Sequence, residues 1–179
     1  MQINPLTEAQ PGDVFLFARS NSIFNLAINI KTWSRFTHCE VAMRDANGWL
    51  VMAASRNGLG VSLYDPDLKG LALIMRPVMP FNQAAALEWF ATVSGQGYDW
   101  AGLLNFTYAK VAKNNNKQFC SEFATRLLRY GGIDLFPEQD ADTISPRDFS
   151  IVVRGALQVV YRSPAEMDRY QKLIAEGAA

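Results

Sequence analysis

The stretch QFCSEFATRLLRYGG, residues 118–132, sets one of the chain's two cysteines at the head of an amphipathic run. Cys120, Phe123, Ala124 and Leu127 recur at helical spacing, and Gly131 with Gly132 gives a stop signal, so a helix is expected with Cys120 in its first turn. A cysteine there is either a small core hydrophobe or a nucleophile. The reactive species is the thiolate, so the second reading needs a base or a positive field beside the sulfur. The chain has one histidine, His38.

His38 lies in FTHCEVAM, residues 36–43, which reads as a strand. Side chains alternate along a strand, so His38 and Glu40 share one face and Cys39 and Val41 the other. With His38 turned toward a site, Cys39 is expected to be a buried spectator, and Cys120 becomes the partner. A first-turn cysteine gains from the positive end of the helix, and an imidazole lowers its pKa further, takes up its proton, and returns a proton to a leaving group. A third polar group usually orients the imidazole. Glu40, roughly 7 Å along the strand at the usual rise, is one candidate. Ser55, which ends the next expected strand in VMAAS, is the other.

Around this pair, the composition narrows the possibilities. A chain of 179 residues, about half of them hydrophobic, buries one core and makes one domain. Seventeen basic and seventeen acidic residues cancel, and no Lys/Arg run is long enough to follow phosphates, which argues against nucleic acid. The N-terminal MQINPLTEAQPGDV is polar, without a secretory signal, and no apolar run is long enough to span a bilayer. The expectation is a protein that is cytoplasmic as synthesised; work in the cell envelope would need another delivery route. Two cysteines do not make a secreted disulfide scaffold, so reduced thiols are expected. One histidine and no CxxC or HExxH pattern speak against a metal, and RNGLG and GQGYD lack the strand, spacing and lysine of a phosphate loop. No cofactor is expected.

The order of elements completes the fold reading. After the PGD turn, VFLF is a short buried strand; residues 21–36, with Ile23, Phe24, Ala27 and Ile30 in helical register, read as a helix. Two strands joined at DANG, then GLGVSLYD and LALIMRPV, follow consecutively and should form a largely antiparallel sheet. FNQAAALEWFATVSG is a helix ended by Gly95, and the segment after it is again helical up to a KNNNK loop. After the Cys120 helix come a helical turn at ISPRDF, a strand at ALQVVY, and a terminal helix whose Ser163 and Glu166 match a capping box. This is an α+β domain, with residues 1–162 as the body and residues 163–179 as a C-terminal helix packed on it or extending it.

The order of PGDVFLF, FTHCEVAM, GYDW, FCSEF and ISPRDF resembles the permuted branch of the NlpC-type papain-like superfamily, the YiiX-like proteins, over about Pro11 to Tyr161. That resemblance implies a circularly permuted papain-like fold, with the histidine sheet preceding the nucleophile helix. Carried onto this sequence, it implies Cys120 as nucleophile, His38 as base and acid, and Tyr98 beside the cysteine. Ser55 and Ser121 are expected with Tyr98 at the substrate, and Glu122 is expected to cap the helix or hold a loop. Where many relatives place a polar group on the strand after the histidine, this chain has Ala53 and Ala54. The orienting role then falls to Glu40, Ser55 or a backbone carbonyl.

A Cys-His pair predicts acyl transfer through a thioester. The resemblance directs this to an amide of a peptidoglycan stem peptide, as a thiol peptidase or amidase, with a delivery or immunity partner where the work lies outside the cytoplasm. The alternatives are a lipid deacylase or acyltransferase like lecithin:retinol acyltransferase, and a non-catalytic binding module with the same fold.

Overall fold

The computed structural model describes residues 2–5, 7–18, 34–45, 47–55, 58–63, 69–98, 117–151 and 155–177, with residues 45, 48–55, 58–63, 98 and 117 described by backbone alone. Most of the helix expected over 21–36 lies outside these residues, as does the helical segment expected after Gly95 beyond residue 98; Gly97 and Tyr98, at its start, form a strand instead. The strands are β1 (Val14–Phe17), β2 (His38–Asp45), β3 (Gly48–Ser55), β4 (Gly58–Leu63), β5 (Leu71–Pro77), β6 (Gly97–Tyr98), β7 (Lys117–Gln118) and β8 (Leu157–Arg162). The helices are α1 (Gln83–Val93), α2 (Cys120–Tyr130), α3 (Pro146–Ile151) and α4 (Pro164–Ala175).

The PGD turn sets the first strand. Gly12 takes φ 90°, a region that L side chains avoid, and donates its N–H to the Ala42 carbonyl at 2.9 Å. Asp13 is fully buried and receives Arg76 on both carboxylate oxygens at 2.8 Å, with the Gln10 N–H also at 2.8 Å. A buried carboxylate needs such a bidentate partner to offset its lost hydration. The fork fixes the start of β1 against β5.

β1 then lies inside a six-stranded sheet of order β4-β3-β2-β1-β5-β8, whose pairings are all antiparallel. The class is α+β. β1 is apolar throughout because both of its faces are covered. Val14 and Leu16, with Cys39, Val41 and Met43 of β2, face α1 and α2, while Phe15 and Phe17 pack on the other side with Ile3, Ala9 and Val160. A short parallel ribbon, Gly97↔Lys117 and Tyr98↔Gln118, leads into α2.

The seat of α2 decides where Cys120 stands. Phe123 is fully buried, with ring centroids 5.7 Å from Trp89 and 5.9 Å from Phe90 of α1; burying such a ring is worth about 1.5–3 kcal/mol. At the far end of the helix, a Cβ on Gly131 would stand 2.1 Å from Phe81 Cε2, and one on Gly12 would stand 2.8 Å from Phe81 Cγ. The Phe81 ring is therefore gripped between the turn before β1 and the end of α2.

The terminal helix shows one half of the expected capping box. Ser163 Oγ accepts the Glu166 N–H at 3.3 Å. The reciprocal bond is absent, because the Ser163 N–H goes to the Ala72 carbonyl at 2.8 Å and the buried Glu166 carboxylate pairs with Arg35. A guanidinium is the stronger partner for a carboxylate than a backbone N–H that the sheet already uses.

Gly131→Ala is expected to destabilise the protein by about 1–3 kcal/mol through overpacking against Phe81, read as a lower urea midpoint. Gly131→Ala combined with Phe81→Leu should recover part of the loss; an unchanged midpoint in Gly131→Ala alone would refute the grip.

Candidate active site

α2 starts at Cys120, since Phe119 is extended at φ −99°, ψ 170°, and no side chain caps the helix. The positive end of the helix is thus left beside the Cys120 sulfur. Glu122, in the same first turn, pairs with Arg126 at 2.8 Å, which offsets its carboxylate. The first turn is also anchored from behind. Ser121 is fully buried and its Oγ donates to the Ile144 carbonyl at 2.7 Å, just before α3, where the Ser145 N–H and Oγ both donate to Asp148 at 2.7 Å. The expectation that Ser121 binds substrate is corrected: its hydroxyl is committed to tying the helix to the ISPRDF turn.

His38 is the first residue of β2, and Glu40 lies two positions on, on the same face. Their contact is direct, with His38 Nε2 3.0 Å from Glu40 Oε1, and the two side chains are 19% and 14% exposed, so water screens the pair only from one side. Phe17 flanks the imidazole at 5.8 Å between centroids. The ring also hydrogen-bonds Cys120, and with Nε2 facing Glu40, Nδ1 is the nitrogen left for the sulfur.

The electrostatics follow from these contacts. Burial disfavours a charged His38, but the charge and hydrogen bond of the Cys120 thiolate, joined by those of Glu40, outweigh it and push the imidazole up to about 10. Cys120 is held well below the ordinary thiol range. The hydrogen bond from the Cys39 thiol contributes most; burial opposes it, and the charge and hydrogen bond of His38 and the Cys39 backbone N–H add to it. Both shifts favour an imidazolium–thiolate pair, with Glu40 behind the ring.

Cys39 overturns one expectation. It is fully buried, but it is no spectator, because both its thiol and its backbone N–H meet Cys120. The sheet explains how. β2 pairs with β1 through Leu16↔Cys39, and with β3 from Val41↔Met52 onward. The bond from the Ala42 N–H to the Asp13 carbonyl, 2.8 Å, sets the phase of the ladder, so Cys39 turns its N–H away from β1, toward the side that β3 has not yet joined. The Cys120 sulfur takes that position. His38, the first residue of the strand, alternates to the other face, and its ring hydrogen-bonds the same sulfur. Burial, then the hydrogen bond to Cys120 and the thiolate's charge, push the Cys39 thiol well above its ordinary value, so it stays protonated as a donor.

The remaining candidates are placed by backbone alone. Ser55 pairs with Gly58 at the end of β3; extending the β2–β3 register puts it level with His38. Tyr98 pairs with Gln118, two residues before Cys120. Gln118 itself, which the sequence reading passed over, is buried, and its Oε1 has no hydrogen-bond partner among the described residues. Nothing in its sequence context marks it out. A cleft lined by Arg126, Arg129, Tyr130, Asp140 and Ala141 lies farther along α2, roughly 9–15 Å from Cys120 at the helical rise.

No family model matches this chain, and no curated protein does. Among solved structures, the chain is similar to the metalloprotein YiiX from Escherichia coli O157:H7, with a TM-score of 0.57 and 15% sequence identity over 90% of this chain and 93% of that one. At that identity the likeness is one of fold, a YiiX-like arrangement over most of the chain.

Alkylation of Cys120 is expected to stay fast from neutral pH down to a midpoint well below the free-thiol value of about 8.5, with Cys39 unreactive in the same peptide map. His38→Ala should move that midpoint up, and Glu40→Gln should move it less. A Cys120 midpoint at the free-thiol value in the unmodified protein would dismiss the ion pair.

Proposed function

We propose that the chain is a cysteine hydrolase with a permuted papain-like arrangement, acting on an amide bond of a peptide of the cell-wall stem type. The observation that carries this reading is Cys120 at the uncapped start of α2 beside His38, whose ring Glu40 holds at 3.0 Å. An amine is a poor leaving group until it is protonated, and an imidazole raised to about 10 holds that proton at neutral pH. The missing polar residue on the strand after the histidine, which motivates a non-catalytic reading, is offset by Glu40 at 3.0 Å from the ring.

The steps use these side chains in turn. Cys120 Sγ attacks the amide carbon; a C–S bond forms and the carbonyl electron pair moves onto oxygen, at the positive end of α2. The pair returns, the C–N bond breaks, and His38 gives its proton to the departing nitrogen, which leaves a thioester. Water then attacks the thioester carbon and the now neutral His38 takes its proton. The C–S bond breaks, releasing the acid and restoring the ion pair. Glu40 keeps the ring oriented throughout.

The solved neighbour is a metalloprotein by description. In this chain, among the described residues, no group of three or more His, Cys, Asp or Glu side chains is arranged to hold a metal ion, and those that meet at Cys120 are engaged with one another. The residues do not fit such a centre, and the steps above run on the side chains alone. Among the described residues no helix is long and apolar enough to cross a membrane.

A panel of stem peptides and acyl lipids tests the substrate. The expected result is amine release from peptides, abolished in Cys120→Ala and lowered about 10²–10⁴-fold in His38→Ala. The rate should hold from neutral pH upward and fall as pH rises through about 10, where the imidazolium loses its proton. Turnover of acyl lipids alone would replace this reading with the lipid one; turnover of neither class by a protein whose Cys120 is reactive would leave the binding module.

A further inference from the structure

The chain's two cysteines are 81 positions apart in sequence and in contact in the fold. Both are free thiols, 0% and 3% exposed, in one apolar cluster where α2 crosses β2. Catalysis needs only one of them. The second stands where a core methyl group would pack as well, yet its thiol is directed at the nucleophile. We propose that Cys39 is a resolving thiol: a hydroperoxide oxidises Cys120, and the two cysteines close a reversible disulfide that switches the nucleophile off. This rests on the Cys120 thiolate of the proposed function and not on any substrate.

The chemistry balances in two steps. The Cys120 thiolate attacks one oxygen of the hydroperoxide; an S–O bond forms, the O–O bond breaks, and the leaving alkoxide or hydroxide takes the proton of the His38 imidazolium. Sulfur is oxidised by two electrons to a sulfenic acid, and the peroxide is reduced to an alcohol or water. The Cys39 sulfur then attacks the sulfenic sulfur. An S–S bond forms, the S–O bond breaks, and the hydroxyl leaves with the Cys39 proton as water. Loss of the Cys120 negative charge in the first step removes one of the influences that keep Cys39 protonated, so the resolving thiol is eased toward reaction only once its partner is oxidised. The sulfurs need to close only from hydrogen-bond contact to the S–S length of about 2.05 Å.

The test treats the full chain with a several-fold excess of hydrogen peroxide, enough for both two-electron steps to a sulfinic acid, blocks remaining thiols with N-ethylmaleimide under denaturing conditions, and maps peptides without reduction. The expected product joins the peptides of Cys39 and Cys120, and Cys120 alkylation returns after dithiothreitol. In Cys39→Ala, with Cys39→Ser as the second variant should the first fail to fold, Cys120 should instead proceed to a sulfinic acid that dithiothreitol does not reverse. Sulfinic Cys120 beside an alkylated Cys39 in the unmodified protein would overturn the proposal. The alkylation rate before peroxide separates the two readings. A fast Cys120 that forms no disulfide overturns the resolving role alone, and a slow Cys120 that forms none overturns the thiolate with it.

Discussion

A sulfur that is 3% exposed has almost no water to hold a negative charge, so the protein must supply the stabilisation of its thiolate form by contact. Everything else about this fold can be placed by asking what it adds to the sulfur of Cys120. His38 adds a positive charge and a ring N–H, Cys39 adds a thiol and a backbone N–H, and α2 adds its uncapped positive end. The Cys39 hydrogen bond is the largest of these, and burial opposes it. Together they outweigh burial.

The sheet contributes through what it leaves unfinished. β3 joins β2 only from Val41 onward, so the first residues of β2 keep ladder positions that a fully paired strand would have closed. The N-terminus of α2 fills that opening. Its depth is set elsewhere, by Phe123 between Trp89 and Phe90, by the hydroxyl of Ser121 on the Ile144 carbonyl, and by the Phe81 ring at the other end. The Asp13–Arg76 fork does the same for β1, on which β2 lies.

Much of this was legible in the sequence, because local signals agreed with the fold. The alternation in FTHCEVAM placed His38 and Glu40 together, and the glycines after Tyr130 ended the Cys120 helix where the chain ends it. Cys39 was misread for a physical reason: alternation gives the face of a side chain and not what packs on it, and at the start of β2, which pairs with β1 but not yet with β3, a helix end approaches so that both Cys39 and His38 meet Cys120. Ser121 was misplaced because a hydroxyl beside a nucleophile looks the same in sequence whether it meets a ligand or a carbonyl 23 residues away. The roles of Ser55 and Tyr98 stay with their backbone positions, and the helix expected over 21–36 falls largely outside the described residues.

One consequence follows from His38 and Glu40 sharing a single strand. The imidazole and the carboxylate that steers it ride on three consecutive residues, so they move as one body. Cys120 rides on another. The fold thereby divides the site between a strand that sets the orientation of the ring and a helix that sets the position of the sulfur, with Cys39 of that same strand as the seam between them.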